Sequence, residues 1–409
     1  MSDYAALADG DQKTRIERYK ATLSSLLSEG KVDELKRFVE HVTSEEVALV
    51  VSRQVLGELA AALPQLPAAH LKDLGGQLLE RIQPRVSSFE EQASTVREHL
   101  ADVFEKEEDW AQAAKMLAGI PLDSGIRVLE DNYKVEKYIK IAMLYLQDEE
   151  AVSAETSINR ASLLITEETR DDLRLQHKVC YARILDSKRK FLEAATRYHQ
   201  LSQLTTRTFG SMTISDDEVI TALRMAATCA ILAPAGPQRS RLLGTLYKDE
   251  RTNALPNYSV LEKMFMERLL RPAEVEAFAS SLATHQRATL EDGSTVLDRA
   301  VIEHNMLATS RLYSNISFDQ LGLLLGIDAS KAERMAASML MEKRLQGYID
   351  QPEARLHFEH LPAGADEATE STDALHAFDA QIEHICRSVE GVANGIATKH
   401  PEFAIVAPP

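Results

Sequence analysis

Residues 326–359 read GIDASKAERMAASMLMEKRLQGYIDQPEARLHFE. Ala332, Met335, Ala336, Met339 and Leu340 recur at steps of three and four, which predicts a helix buried on one face. The pattern then alternates. Leu345, Gly347 and Ile349 fall on one face and Gln346, Tyr348 and Asp350 on the other, so 345–350 reads as a strand. Residues 355–359 read as a second strand, with Leu356 and Phe358 inward and Arg355, His357 and Glu359 outward. Upstream, ISFDQLGLLL (316–325) gives another helix, and Ser317-x-x-Gln320 fits a capping box at its start. Asp328 or Ser330 can cap the second helix, and Ser330-x-x-Glu333 fits a second box. TVLDRAVIEHNMLATSRLY (295–313) reads as an amphipathic helix leading into the motif. Two tandem helices followed by a hairpin give the outline of a winged helix.

Charge decides what such a shape can do. A DNA-reading helix needs cations and amides on its exposed face and phosphate anchors around it. Lys331, Arg334, Lys343 and Arg344 are offset by Asp328, Glu333 and Glu342, and 316–359 holds seven acids against five bases. Specific binders engage roughly 6–10 phosphates. The whole chain carries a formal charge of −17, which also disfavours nucleic acid and an anionic membrane surface. The open edges of a small sheet offer another use, because unpaired backbone groups recruit a strand from a neighbour. The candidate edge residues are Gln346, Gly347, Tyr348, Ile349, Asp350, Arg355 and His357. The motif therefore favours protein assembly.

Working toward the N-terminus, three segments align: ADVFEKEEDWAQAAKML (101–117), AMLYLQDEEAVSAETSI (142–158) and ARILDSKRKFLEAATRY (182–198). Each opens on Ala (101, 142, 182), continues into a charged turn, has Ala at the same later offset (113, 154, 194) and closes on a large residue (Leu117, Ile158, Tyr198). Small residues at fixed offsets let antiparallel helices approach, and repeats of about forty residues stack into solenoids. LSSLLSEGKVDELKRFV (23–39) is a weaker copy. Residues 1–205 are expected to form a repeat arm of tetratricopeptide or HEAT type, and 206–295 a further helical part in which Pro272 opens a helix. The winged helix is placed at 296–360 and a polar linker at 361–372.

A last helix, 373–400, carries Leu375, Phe378, Ile382, Ile385, Val389, Val392 and Ile396 at alternating steps of three and four. That is an a/d seam of period 3.5, which wants helices alongside it. Packing against its own chain is the alternative to a bundle with partners.

Signals for chemistry are sparse. No GxxxxGK[ST], GxSxG or HExxH is present. His357 and His360 sit at a strand end, where successive residues alternate faces, and His304 on an apolar stripe reads as a hydrogen-bonded core residue. Cys180, Cys229 and Cys386 lie far apart, with no CxxC, which suits a reducing compartment. No catalytic constellation, metal site or cofactor is expected. MSDYAALADGDQKTR has no apolar core of a signal peptide, so the expected location is cytoplasm and nucleus. The loop Arg287–Thr295, with Arg287, Glu291, Asp292 and Gly293, is a candidate partner contact; the alternative is an ordinary connector.

Helical repeats, a winged helix and a terminal helix together resemble the PCI domain proteins of the proteasome lid, the COP9 signalosome and a translation initiation factor. IQPRVSSFEEQ (82–92), EKEEDWAQAAKML (105–117), KVCYARILDSKRKFLEAA (178–195), AGPQRSRLLGTLYKDER (235–251) and STVLDRAVIEHNMLATSRLYSNI (294–316) are most similar to a signalosome member of that family. The resemblance implies a mostly α protein: a repeat solenoid, a PCI winged helix with a small β-sheet, and a C-terminal bundle helix. It implies a non-catalytic scaffold and substrate-sensing role in the complex that removes NEDD8 from cullins. Other PCI and MPN subunits and the cullin–RING ligase are then the expected partners. A PCI subunit of the proteasome lid is the alternative, followed by a winged-helix nucleic-acid binder.

Overall fold

The computed structural model describes residues 11–29, 31–123, 128–204, 208–209, 212–289, 293–358 and 370–399. The first ten residues of the expected arm, His360 and residues 361–369 of the expected linker lie outside these, as do Glu291 and Asp292 of the candidate loop. The chain divides into two units. One comprises Met1–Ala233, Lys248–Asn257 and Leu282–Gln286; the other comprises Pro234–Tyr247, Tyr258–Ser281 and Arg287–Pro409.

The first unit opens with α1 (Gln12–Glu29), α2 (Val32–Thr43), α3 (Leu49–Ala62) and α4 (Ala68–Ile82). Three helix pairs follow: α5 (Glu90–Lys106) with α6 (Trp110–Ala118), α7 (Asp131–Gln147) with α8 (Ala151–Leu164), and α9 (Asp171–Ser187) with α10 (Phe191–Ser202). These pairs are the three aligned segments. Both alanines of each segment are fully buried where its two helices meet, and Leu117, Ile158 and Tyr198 are buried beside them. The weaker copy is the pair α1–α2, with a buried Leu35 where the others have Ala.

The charged turns share one backbone device. Glu108 (φ 61°), Glu149 (φ 59°) and Arg189 (φ 60°) occupy the same offset in the left-handed region. The next residue returns its N–H to the carbonyl five positions back: Asp109 to Phe104, Glu150 to Tyr145 and Lys190 to Leu185, each at 2.9 Å. That bond closes a Schellman turn, usually made by Gly.

A two-residue ladder of β1 (Thr208–Phe209) and β2 (Met212–Thr213) precedes α11 (Asp216–Leu232). Ser215 and Glu218 cap α11 reciprocally, and it packs on α10. The first unit therefore continues past residue 205 to Ala233. Two later segments return to it. Arg251 donates to the Ser202 carbonyl at 2.8 Å, and Gln286 donates to both oxygens of the buried Asp186 at 3.0 and 3.1 Å.

The second unit contains α12 (Pro237–Tyr247), α13 (Tyr258–Phe265), α14 (Pro272–Ser280) and α15 (Val296–Leu312). Its winged helix is β3 (Asn315–Ser317), α16 (Phe318–Leu325), α17 (Ala329–Met341), β4 (Gly347–Asp350) and β5 (Arg355–Phe358), and α18 (Glu370–Lys399) follows. Met306, Ile316, Leu321, Ala332, Ala336, Met339, Leu356 and Phe358 form its core. Gly326 ends α16 at φ 69°, where a side chain would be strained, and Ile327 N–H closes the turn on the Gly322 carbonyl at 3.0 Å.

Several expectations are corrected here. Helix α15 is not simply amphipathic: residues Ile302 to Met306 are all buried, so its middle is enclosed on every side. The second helix starts after Asp328, whose side chain makes no capping bond, and Ser330 lies inside the helix, so the Ser330–Glu333 box does not form. Ser317 accepts from Gln320 N–H at 3.4 Å, one half of the expected box. The strands are shorter than expected, and Gln346 precedes β4.

Candidate assembly interfaces

The sheet has the order β3-β5-β4, with both pairings antiparallel. β5 is central. Its residues face Asn315–Ser317 on one side and Gly347–Asp350 on the other. Arg355 and His357 were expected on an open edge, and this is a correction: β5 is paired on both flanks, by β4 and by β3, a strand with too few residues to show an alternating pattern. The outer strands are β4 and β3. Gly347, Tyr348, Ile349 and Asp350 lie on β4. Tyr348 is exposed, and its ring stacks on His357 with centroids 4.8 Å apart and planes 3° apart. Gly347 sits at φ 148°, and a Cβ there would lie 2.0 Å from the His357 carbonyl oxygen. Only Gly allows β4 to enter the ladder at this point.

Three consecutive polar residues of α15 anchor the winged helix to the rest of its unit. Glu303 is 1% exposed. It accepts from Arg299 Nε at 3.1 Å, from the Ala235 N–H at 3.2 Å and from both terminal nitrogens of Arg344, one at 3.2 Å. Arg344 follows Lys343, which closes α17 in the left-handed region (φ 56°). One cation that a DNA reader would expose is thus turned inward. His304 donates from Nε2 to the Arg268 carbonyl at 2.9 Å, as expected of a core histidine, and burial pushes its pKa down to about 4. Asn305 bonds both the N–H and the carbonyl of Leu270. Each side chain satisfies a loop backbone group that burial would otherwise orphan. Sequence reading missed Glu303, because its partners lie far away along the chain.

Helix α18 presents a different surface. Phe378, Ile382, Ile385, Val389, Val392 and Ile396 are each between 44% and 63% exposed. Of Leu375 only the backbone is described. Burying a side chain of this size contributes roughly 1.5–3 kcal/mol, and soluble monomers rarely leave a continuous stripe of them in water. None of the described residues covers this seam.

The candidate loop is closed at its neck by an antiparallel bridge between Thr289 and Thr295. Arg287 donates to the Ser280 carbonyl at 2.6 Å, and Gly293 turns the chain at φ 75°. Thr295 and Asp298 then cap α15 reciprocally. Among the described residues, no group of three or more His, Cys, Asp and Glu is placed to hold a metal ion, and no helix is long and apolar enough to cross a membrane. Cys180 and Cys229 are buried, and burial pushes both thiols up.

A family described as PSMD12/CSN4, N-terminal, matches residues 6–207, and the PCI domain matches residues 273–360. COP9 signalosome complex subunit 4 of Arabidopsis thaliana is 50% identical over 394 residues, covering 96% of this chain and 97% of the relative. The protein of that name from Dictyostelium discoideum is 47% identical over 99% of this chain and 98% of its own. The one from Drosophila melanogaster is 43% identical over 96% and 93%. These alignments cover nearly the whole chain, and the chain belongs to the COP9 signalosome complex subunit 4 family.

Proposed function

We propose that this chain is a non-catalytic scaffold subunit of a COP9 signalosome, the complex that removes NEDD8 from cullin–RING ligases, in cytoplasm and nucleus. Two surfaces hold its neighbours. The outer strand β4 pairs with a strand of another PCI subunit, and the α18 seam enters a bundle with the terminal helices of other subunits. The repeat unit reaches the ligase, and the loop at Arg287–Thr295 reports contact with an MPN subunit. The single observation that carries this reading is the apolar seam at 3.5-residue spacing that the described residues leave exposed.

Ile382→Asp with Ile385→Asp tests it. Reconstitution with the other subunits, followed by size exclusion, should show the variant lost from the complex while its circular dichroism is unchanged. Full co-elution of the double variant would refute the bundle. Proteasome base ATPases co-purifying with the wild-type chain would shift the assignment to the lid.

A further inference from the structure

A cavity of about 390 Å³ opens on the first unit between α8, α9 and α10. Its lining includes Ser162, His177, Lys178, Tyr181, Arg197 and Gln200. The concentration of basic types is unusual in a chain of charge −17. Several cations of the neighbouring repeats are paired: Lys140 with Asp102 and Glu105, Lys137 with Glu98, Lys188 with Glu155. Lys178 and Arg197 have no carboxylate within ion-pair distance among the described residues. Glu193 lies one turn before Arg197 on α10, a spacing at which such residues commonly pair. Instead the guanidinium lies 5.5 Å from the centre of the Tyr181 ring. His177 stacks on the same ring, centroids 6.3 Å apart and planes 10° apart. Its Nε2 is 2.8 Å from Ser162 Oγ, whose hydroxyl donates to the Ile158 carbonyl at 3.0 Å, so the imidazole donates to the serine. The ring therefore orients an imidazole and a guanidinium, with an ammonium beside them and no counter-ion.

A second cavity of about 500 Å³ adjoins the first, sharing Leu201 and Leu204. Leu175, Val179, Val219 and Met225 make its wall mostly apolar, Val179 is exposed, and Arg183, Asp217 and Glu218 also line it. A basic aromatic pocket that abuts an apolar one is complementary to chain carrying carboxylates next to a large apolar side chain. A nucleic acid finds too few cations here and a repelling net charge. A free phosphate ion gains nothing from the apolar half.

We infer that the joined grooves of α8–α11 dock a short acidic segment of a partner protein, its carboxylates on Lys178 and Arg197 and an apolar side chain between Val179 and Met225. This goes beyond the scaffold reading and needs no assembly to be tested. The probe is a fluorescein-labelled peptide Glu-Glu-Asp-Leu-Phe-Glu-Glu, titrated by anisotropy with the full chain at low salt. Saturable binding is expected, weakened about tenfold or more in Lys178→Glu with Arg197→Glu and in the peptide with Gln and Asn for its acids. Val179→Asp should weaken it too, whereas Lys190→Glu, an exposed cation outside both cavities, should not. Lys178→Gln with Arg197→Gln repeats the test if charge reversal perturbs the fold by circular dichroism. Absence of binding, equal affinity of the double variants, equal affinity of the neutral peptide, or full displacement by inorganic phosphate or by an oligothymidylate would each overturn the inference.

Discussion

Replacing Glu303 tests how the winged helix is held. The carboxylate is almost completely buried and accepts from two arginines and one backbone N–H. Removing one partner of a buried ion pair costs about 3–5 kcal/mol, because the other charge is left uncompensated. Arg344 would keep only Glu342, on its Nε at 2.7 Å, and the buried Arg239, whose guanidinium also feels Glu303, would lose its counter-field. Glu303→Ala further orphans the Ala235 N–H, adding about 1–3 kcal/mol, so about 4–8 kcal/mol is expected. Glu303→Gln keeps an oxygen for Ala235 and should cost about 3 kcal/mol. Amide hydrogen exchange of the full chain reads this locally. Amides of α15, α17 and β4 should exchange about 100-fold faster in Glu303→Gln, with α1–α4 as internal control. Glu303→Leu combined with Arg344→Met removes both charges and should cost less than either single change. Exchange altered less than about threefold in Glu303→Ala, against the expected loss, would refute the argument.

Stability should fall with acid in a window set by His304. Its folded pKa, about 4, lies below the unfolded value, so its contribution is complete above about pH 6.5 and is lost as pH drops toward 4, about 3 kcal/mol in all. Urea melts of His304→Asn should show a shallower slope between pH 6.5 and 5; an unchanged slope would remove His304 from the account. Gly in place of Glu108, Glu149 or Arg189 relieves a left-handed side chain at the price of a more flexible unfolded chain, and each should raise stability by about 0.5–1 kcal/mol in denaturant melts. Gly347→Ala forces a Cβ against the His357 carbonyl and should cost about 2 kcal/mol or more, with faster exchange of β4 and β5 amides.

The repeat alanines were legible because a helix crossing admits only small residues, and that demand recurs at each turn of the solenoid. The α18 seam was legible because 3.5 and 3.6 diverge visibly over three heptads. β3 was not: three residues carry no period, and they become a strand only because β5 returns to pair with them. That hidden strand also misassigned Arg355 and His357. Glu303 hid for a related reason. A carboxylate on a helix reads as solvated until Arg344, forty-one positions later, is brought to it. The basic groove leaves no local trace, since Lys178 and Arg197 meet only once α9 and α10 are antiparallel.

The order β3-β5-β4 gives the small sheet two unlike ends. A neighbour that pairs with β4 through the matching strand of its own sheet makes a closed two-fold pair. A neighbour that offers the strand corresponding to β3 makes a contact with a head and a tail, and the same pairing can repeat from chain to chain. Rows of the second kind have a direction, and they do not stop on their own unless they close or meet a chain whose outer strand is blocked. A row of fixed length therefore needs members with different edges, so the identity of the strand that accepts β4 decides whether this chain sits inside such a row or terminates it.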